Sequence, residues 1–115
     1  MSVFHERDNK GIKYDNPAAK FVLKKALISP KEGWEGSVMR IFELGKGGYS
    51  PKHTHPWFHV NYVIEGNGLL YIDGEDFEVE PGSYAYIPED LVHQFTNTGD
   101  GPLKFICIVP EEGDK

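Results

Sequence analysis

From residue 21 onward the chain alternates short apolar runs with turn-forming residues. The runs are FVLKKALI (21–28), SVMRIFEL (37–44), FHVNYVIE (58–65), LLYID (69–73), DFEVE (76–80), SYAYI (83–87), VHQFTN (92–97) and LKFICIV (103–109). None sustains a helical 3.6-residue period. Glycine, proline, asparagine and aspartate fill the gaps, notably Gly45-Lys46-Gly47-Gly48, Gly66-Asn67-Gly68, Asp73-Gly74 and Pro81-Gly82. Short strands at this spacing predict an all-β sandwich or barrel. Asn67-Gly68 and Asp73-Gly74 predict tight hairpin turns, because both pairs accept positive φ. Residues 1–20 are polar and mixed and read as an arm with room for one short strand, a candidate for dimer formation. Residues 21–115 read as the barrel domain.

The 115 residues make one domain with a real hydrophobic core. The formal charge of −6 argues against nucleic acid, since phosphate binding needs a concentrated basic patch and the densest basic run is Lys24-Lys25. A single cysteine, Cys107, excludes an intrachain disulfide and multi-cysteine metal sites. No apolar run is long enough to span a bilayer, and the first residues lack the apolar core of a signal peptide. A cytoplasmic location is the expectation.

Three of the five histidines fall within residues 53–59. In extended chain His53 and His55 point the same way, and Pro56 biases His55 towards extended backbone. His59 opens the next strand, and His93 opens a later one. Strand ends can converge in a small barrel, so these four imidazoles form a candidate site for a divalent transition metal. His5 stands alone in the arm and reads as solvent-exposed.

The spacing resembles the cupin family. Its first motif, G-x5-H-x-H-x3,4-E-x6-G, matches Gly47, His53, His55, His59 and Gly66, with His59 where the motif has glutamate. Its second, G-x5-P-x-G-x2-H-x3-N, matches Gly82, Pro88, Asp90, His93 and Asn97, with Asp90 in place of the last glycine. Chain length, the four histidines and LKFICIVPEEG are most similar to small single-domain four-histidine cupins, manganese-binding members among them. The resemblance implies a double-stranded β-helix, the jelly-roll barrel. It also implies one divalent metal per chain on His53, His55, His59 and His93. Manganese is the first expectation, and iron, nickel, zinc and copper stay open.

Strand parity supplies candidates for the cavity wall. His59 carries Asn61 and Val63 inward, and His93 carries Phe95 and Asn97. If Lys104 faces water, then Leu103, Phe105, Cys107 and Val109 face inward. The more apolar set of residues 37–44, Val38, Arg40, Phe42 and Leu44, places Arg40 inside. A buried arginine needs a partner. That partner is either a carboxylate-bearing substrate or a structural acid, unless Arg40 turns outward to a dimer face. Cys107 is either a core thiol or an outer group near the metal. Trp57 and Phe58 read as an apolar rim or dimer contacts. The candidate pocket is therefore Arg40, Trp57, Phe95, Phe105 and Cys107.

Together with the resemblance, these residues imply a metal-binding protein acting on a small molecule, first as an oxidoreductase of dioxygenase type. The alternatives are a non-redox metal-dependent isomerase or cyclase, and a binding module without turnover. Small cupins resemble one another in pairing through edge strands and arms, so a homodimer through residues 1–28 is expected.

Overall fold

In a computed structural model, which describes residues 3–114, the chain forms nine antiparallel strands. They are β1 (Ile12–Asn16), β2 (Ala19–Ile28), β3 (Ser37–Tyr49), β4 (His59–Glu65), β5 (Gly68–Ile72), β6 (Glu75–Val79), β7 (Tyr84–Ile87), β8 (His93–Asn97) and β9 (Leu103–Pro110). The strand order is β6-β5-β8-β3-β9-β4-β7, with β2 also on β3 and β1 on β2. The sheet curls into an all-β jelly-roll barrel, as the resemblance implies.

Alternation places the core. β9 reads buried at every odd position, Leu103, Phe105, Cys107 and Val109, and β8 at His93, Phe95 and Asn97. β4 buries His59, Asn61 and Val63, and β3 buries Val38, Arg40 and Leu44. These residues, with Leu70 and Ile87, fill the barrel. Lys104 lies on the opposite face of β9, yet water does not cover it. Its ammonium pairs with Glu6 of the short 3-10 turn Glu6–Asp8. Asn9 Nδ2 donates to the Ala26 carbonyl at 2.8 Å, so this part of the arm lies against β2 and β9. His5 is exposed.

Two turn expectations separate. Asp73-Gly74 makes the two-residue β5–β6 hairpin, with φ of 44° and 94° and Ile72 opposite Glu75. Asn67-Gly68 makes no hairpin, because β4 pairs with β7 and β9 and β5 pairs with β6 and β8. The corner uses Gly66 at φ 88°, and Gly68 already belongs to β5. A Cβ on Gly68 would stand 2.4 Å from the Thr96 carbonyl oxygen, so its glycine serves close strand approach.

Gly45–Gly48 also differs from expectation. β3 runs through it, and the stretch is a bulge against β2: register jumps from Val22↔Leu44 to Lys20↔Tyr49. The reason is steric. A Cβ on Gly48 would lie 2.7 Å from the Lys20 carbonyl oxygen and 2.8 Å from that of Gly45. The bulge bends β3 so that Ser37–Leu44 pairs with β9 and Tyr49 reaches Thr96 of β8. The bend delivers the chain to the histidines.

Candidate metal centre

His53 and His55 lie between β3 and β4, on a segment held by backbone bonds. His53 and His93 form an isolated antiparallel bridge, with N–H···O distances of 3.3 and 3.1 Å. The Asp90 N–H donates to the His55 carbonyl at 2.7 Å. Asp90 has φ 66°, so it adopts the left-handed conformation for which the motif uses glycine, and aspartate tolerates it better than most residues. His59 and His93 open β4 and β8.

The ligand atoms of His53, His55 and His93 lie within 4.8 Å of one another. His59 is not in that three-residue group, but its ring centroid lies 4.6 Å from His93 and 5.3 Å from His55. Its Nε2 is buried and has no hydrogen-bond partner among the described residues. A buried polar atom left this way is costly. Four convergent imidazoles, one with an orphaned nitrogen, fit a divalent transition metal.

The surroundings keep the rings neutral. Burial first, then the neighbouring His93, Arg40 and other histidines, pushes His59 down to about 3. Burial followed by His53, His93 and Arg40 takes His55 to about 4. Burial also lowers His53, with His93 second. His93 is lowered by burial against an opposing hydrogen bond to Leu91. That bond fixes a tautomer. The Leu91 carbonyl can only accept, so His93 Nδ1–H donates at 3.0 Å and Nε2 keeps its lone pair.

A cavity of about 340 Å³ opens beside the cluster and is lined by all four histidines. Arg40, Asn61, Phe95, Phe105 and Cys107 share the wall, as do Lys24 and Asp114. Phe95 and Phe105 stack with centroids 3.9 Å apart. Cys107 is buried, and burial raises its thiol above the ordinary range, with Arg40 opposing. Its Sγ accepts from Arg40 Nη2 at 3.1 Å and lies 3.3 Å from His59 Nδ1.

Trp57, expected in the pocket, stands behind it. The indole stacks on His55 at 4.6 Å and 9° and packs on the core, outside the cavity wall. Phe58 does sit outward, stacked on Tyr86. Arg40 is inside the barrel and has a structural acid, Asp114, at 3.5 Å, while its guanidinium also lies over Phe42. Asp114 and Lys24 escaped the sequence reading. They are far apart in sequence, and nothing local marks either as facing the cavity.

Asn97 closes the far end of the barrel. Its Nδ2 faces the carbonyls of Leu44, Gly45 and Gly101 at 2.9–3.0 Å, and its Oδ1 accepts from the Gly99 N–H. The motif asparagine is thus a clamp on β3.

The comparisons agree with this frame. The polyketide cyclase RemF from Streptomyces resistomycificus superimposes with a TM-score of 0.88 at 31% identity, over 96% of this chain and 80% of that one. A 1-methylthio-D-xylulose 5-phosphate methylsulfurylase from Rhodospirillum rubrum is 34% identical over 67% of this chain and 49% of its own length. An acireductone dioxygenase from Bacillus cereus is 28% identical over 95% of this chain and 74% of its own. The chain spans half or less of the first curated relatives it matches. The cupin domain family model matches residues 40–109, from the buried arginine of β3 to the last core residue of β9. With that match added to the curled sheet and the convergent histidines, the chain belongs to the cupin family.

Proposed function

We propose that this cupin holds one divalent metal ion through His53, His55, His59 and His93 and uses it to activate a small organic molecule. The observation that carries the reading is the buried, unpartnered His59 Nε2 beside the close group of His53, His55 and His93. That group contains imidazoles and no carboxylate. A bound ion would therefore keep its full charge and act as a Lewis acid on a carbonyl or enol oxygen. Manganese is the first expectation from the four-histidine pattern, although imidazole serves zinc, iron, nickel and copper as well.

The chain's own residues prepare the site. Leu91 and Cys107 orient His93 and His59 so that both present Nε2. The stacked Phe95 and Phe105 give a flat apolar wall that excludes water and orients a planar substrate. Arg40 adds positive charge within two short contacts of His59. Non-redox chemistry of the cyclase or isomerase type is the reading we favour. It draws on the likeness to a polyketide cyclase, which extends over most of both chains. The second reading is dioxygenase-type oxidation, favoured by the likeness to an acireductone dioxygenase along nearly the whole chain.

The test is elemental mass spectrometry of untagged protein purified without added metal, for wild type, His55→Ala and His59→Ala. We expect about one divalent ion per wild-type chain and a large loss in both variants. No metal in wild type and no uptake on titration would defeat the reading. Oxygen consumption with candidate enols separates the two chemistries. A second copy of the chain is the proposed partner, through the outer edge of β1, whose five residues are all exposed. Light scattering on protein lacking residues 1–16 should then show a monomer.

A further inference from the structure

The cavity wall beside His59 and Cys107 is built around charge. Arg40 has a side chain only 7% exposed, deep among Phe42, Phe105 and Cys107. A guanidinium so buried must be paired. Its Nη2 is spent on Cys107 Sγ at 3.1 Å, and Nη1 has one long contact, 3.5 Å, with Asp114 Oδ1. Its Nε has no hydrogen-bond partner among the described residues. Lys24, with a side chain 18% exposed, holds the same Asp114 oxygen at 2.8 Å. Two cations therefore converge on one carboxylate oxygen, and the arginine fork is left unsaturated.

That carboxylate comes from a short segment, the 3-10 turn Glu111–Asp114. The turn is fixed at its start by the Glu111 N–H on the Gly36 carbonyl, 2.9 Å. Gly113 lies so close to Trp57 that a Cβ there would stand 2.7 Å from Nε1. Asp114 thus occupies the position that the carboxylate of a bound molecule would take. Such a molecule would lie against Phe95 and Phe105, in the cavity that the four histidines also line.

We propose that Arg40 and Lys24 form an oxyanion-binding subsite for the carboxylate of a small, flat organic acid, and that Asp114 is a built-in occupant which this acid displaces. The proposal deepens the proposed function by naming the substrate class. It rests on that reading only for where the reacting end goes. The incoming carboxylate, not tethered to the turn, can close on Arg40 Nη1 at full hydrogen-bond distance while keeping the Lys24 contact, which Asp114 at 3.5 Å does not do. Displacement then exchanges one long contact on Arg40 for a short one.

The probe is benzoate, titrated calorimetrically into chelator-stripped protein, with benzyl alcohol as its neutral analogue and phenyl phosphate as the other oxyanion. Wild type should bind benzoate weakly. Asp114→Asn should bind it about tenfold tighter or better, because the competing occupant is gone. Gly113→Ala, which keeps the acid but wedges the turn off Trp57, should move the same way. Arg40→Gln should abolish binding, and benzyl alcohol should not respond to Asp114→Asn. Circular dichroism melts establish folding, and if Asp114→Asn does not fold, Gly113→Ala carries the test. Benzoate binding no tighter in either variant, or undiminished in Arg40→Gln, overturns the proposal. Tighter binding of phenyl phosphate than benzoate overturns the carboxylate assignment. Metal is absent throughout. Failure here with metal uptake intact sinks only the subsite, and benzoate binding without any metal uptake sinks only the metal reading.

Discussion

A thiol lodged between an arginine and a histidine has one hydrogen to give, and at Cys107 the choice of recipient matters. Arg40 can only donate, so Sγ accepts from it. If the thiol hydrogen went to His59 Nδ1, the imidazole proton would sit on Nε2, and no lone pair would face the other histidines. If His59 Nδ1–H donates instead, Nε2 is free to ligate and the sulfur accepts twice. Metal binding selects the second arrangement. Cys107→Ser keeps an acceptor and should bind metal within about tenfold of wild type, whereas Cys107→Val should lose roughly 10- to 100-fold. Chelator competition measures both, and a Val variant that binds like wild type would remove Cys107 from the positioning role. The same burial sets acid stability. The unfolded chain protonates these histidines from their ordinary 6.5 downward, while the fold resists to about 4 at His55 and about 3 at His59. The unfolded state therefore binds more protons in this window, and metal-stripped protein should lose stability progressively as pH falls from about 6.5 towards 4. Urea midpoints at stepped pH check the sign. His55→Phe, with one such group fewer, should show a shallower slope.

Among the elements, the corners are set more tightly than the strands. Gly66 and Gly47 are both motif glycines at positive φ, 88° and 76°. Their surroundings differ. A Cβ on Gly66 would sit 2.1 Å from the Pro102 carbonyl oxygen and 2.9 Å from Leu103 Cα, both backbone, whereas one on Gly47 meets nothing within 4 Å. Gly47→Ala should cost only the left-handed conformation, about 1–2 kcal/mol. Gly66→Ala must also shift the corner joining β4 to β5, and should cost at least about 3 kcal/mol. Urea denaturation orders the two, and equal costs would mean the corner is soft. The strands themselves were legible because alternation is local. His59 with Asn61 and Val63, and His93 with Phe95 and Asn97, follow from parity once the histidines face inward. The bulge at Gly45–Gly48 was not legible, because its cause is the carbonyl of Lys20 on another strand. The false hairpin at Asn67-Gly68 failed for a related reason: the turn chemistry is local, but the choice of β8 as partner for β5 is not.

Across the whole molecule, the candidate centre joins parts of the chain that only the fold brings together. His53 and His55 come from the segment after β3, His59 from β4 and His93 from β8, and the Arg40–Cys107 contact ties in β3 and β9. The histidine spacing carried this set because the four lie in two short motifs. Asp114 had no such signal, since its pairing with Arg40 spans 74 positions. A ligand shared by these segments stabilises the barrel as a unit, because the unfolded chain scatters them. The size of the effect follows from mass action. At a free metal concentration 100 times the dissociation constant, binding adds about 2.7 kcal/mol. For a domain of this size that raises the unfolding midpoint by roughly 10 °C. The rise should be complete in wild type, nearly absent in His55→Ala, and reduced in Cys107→Val with the logarithm of its loss of affinity. Scanning calorimetry of metal-stripped and reloaded protein reads all three. A wild-type midpoint that does not move with saturating manganese, zinc or iron would mean that the four imidazoles converge for packing alone.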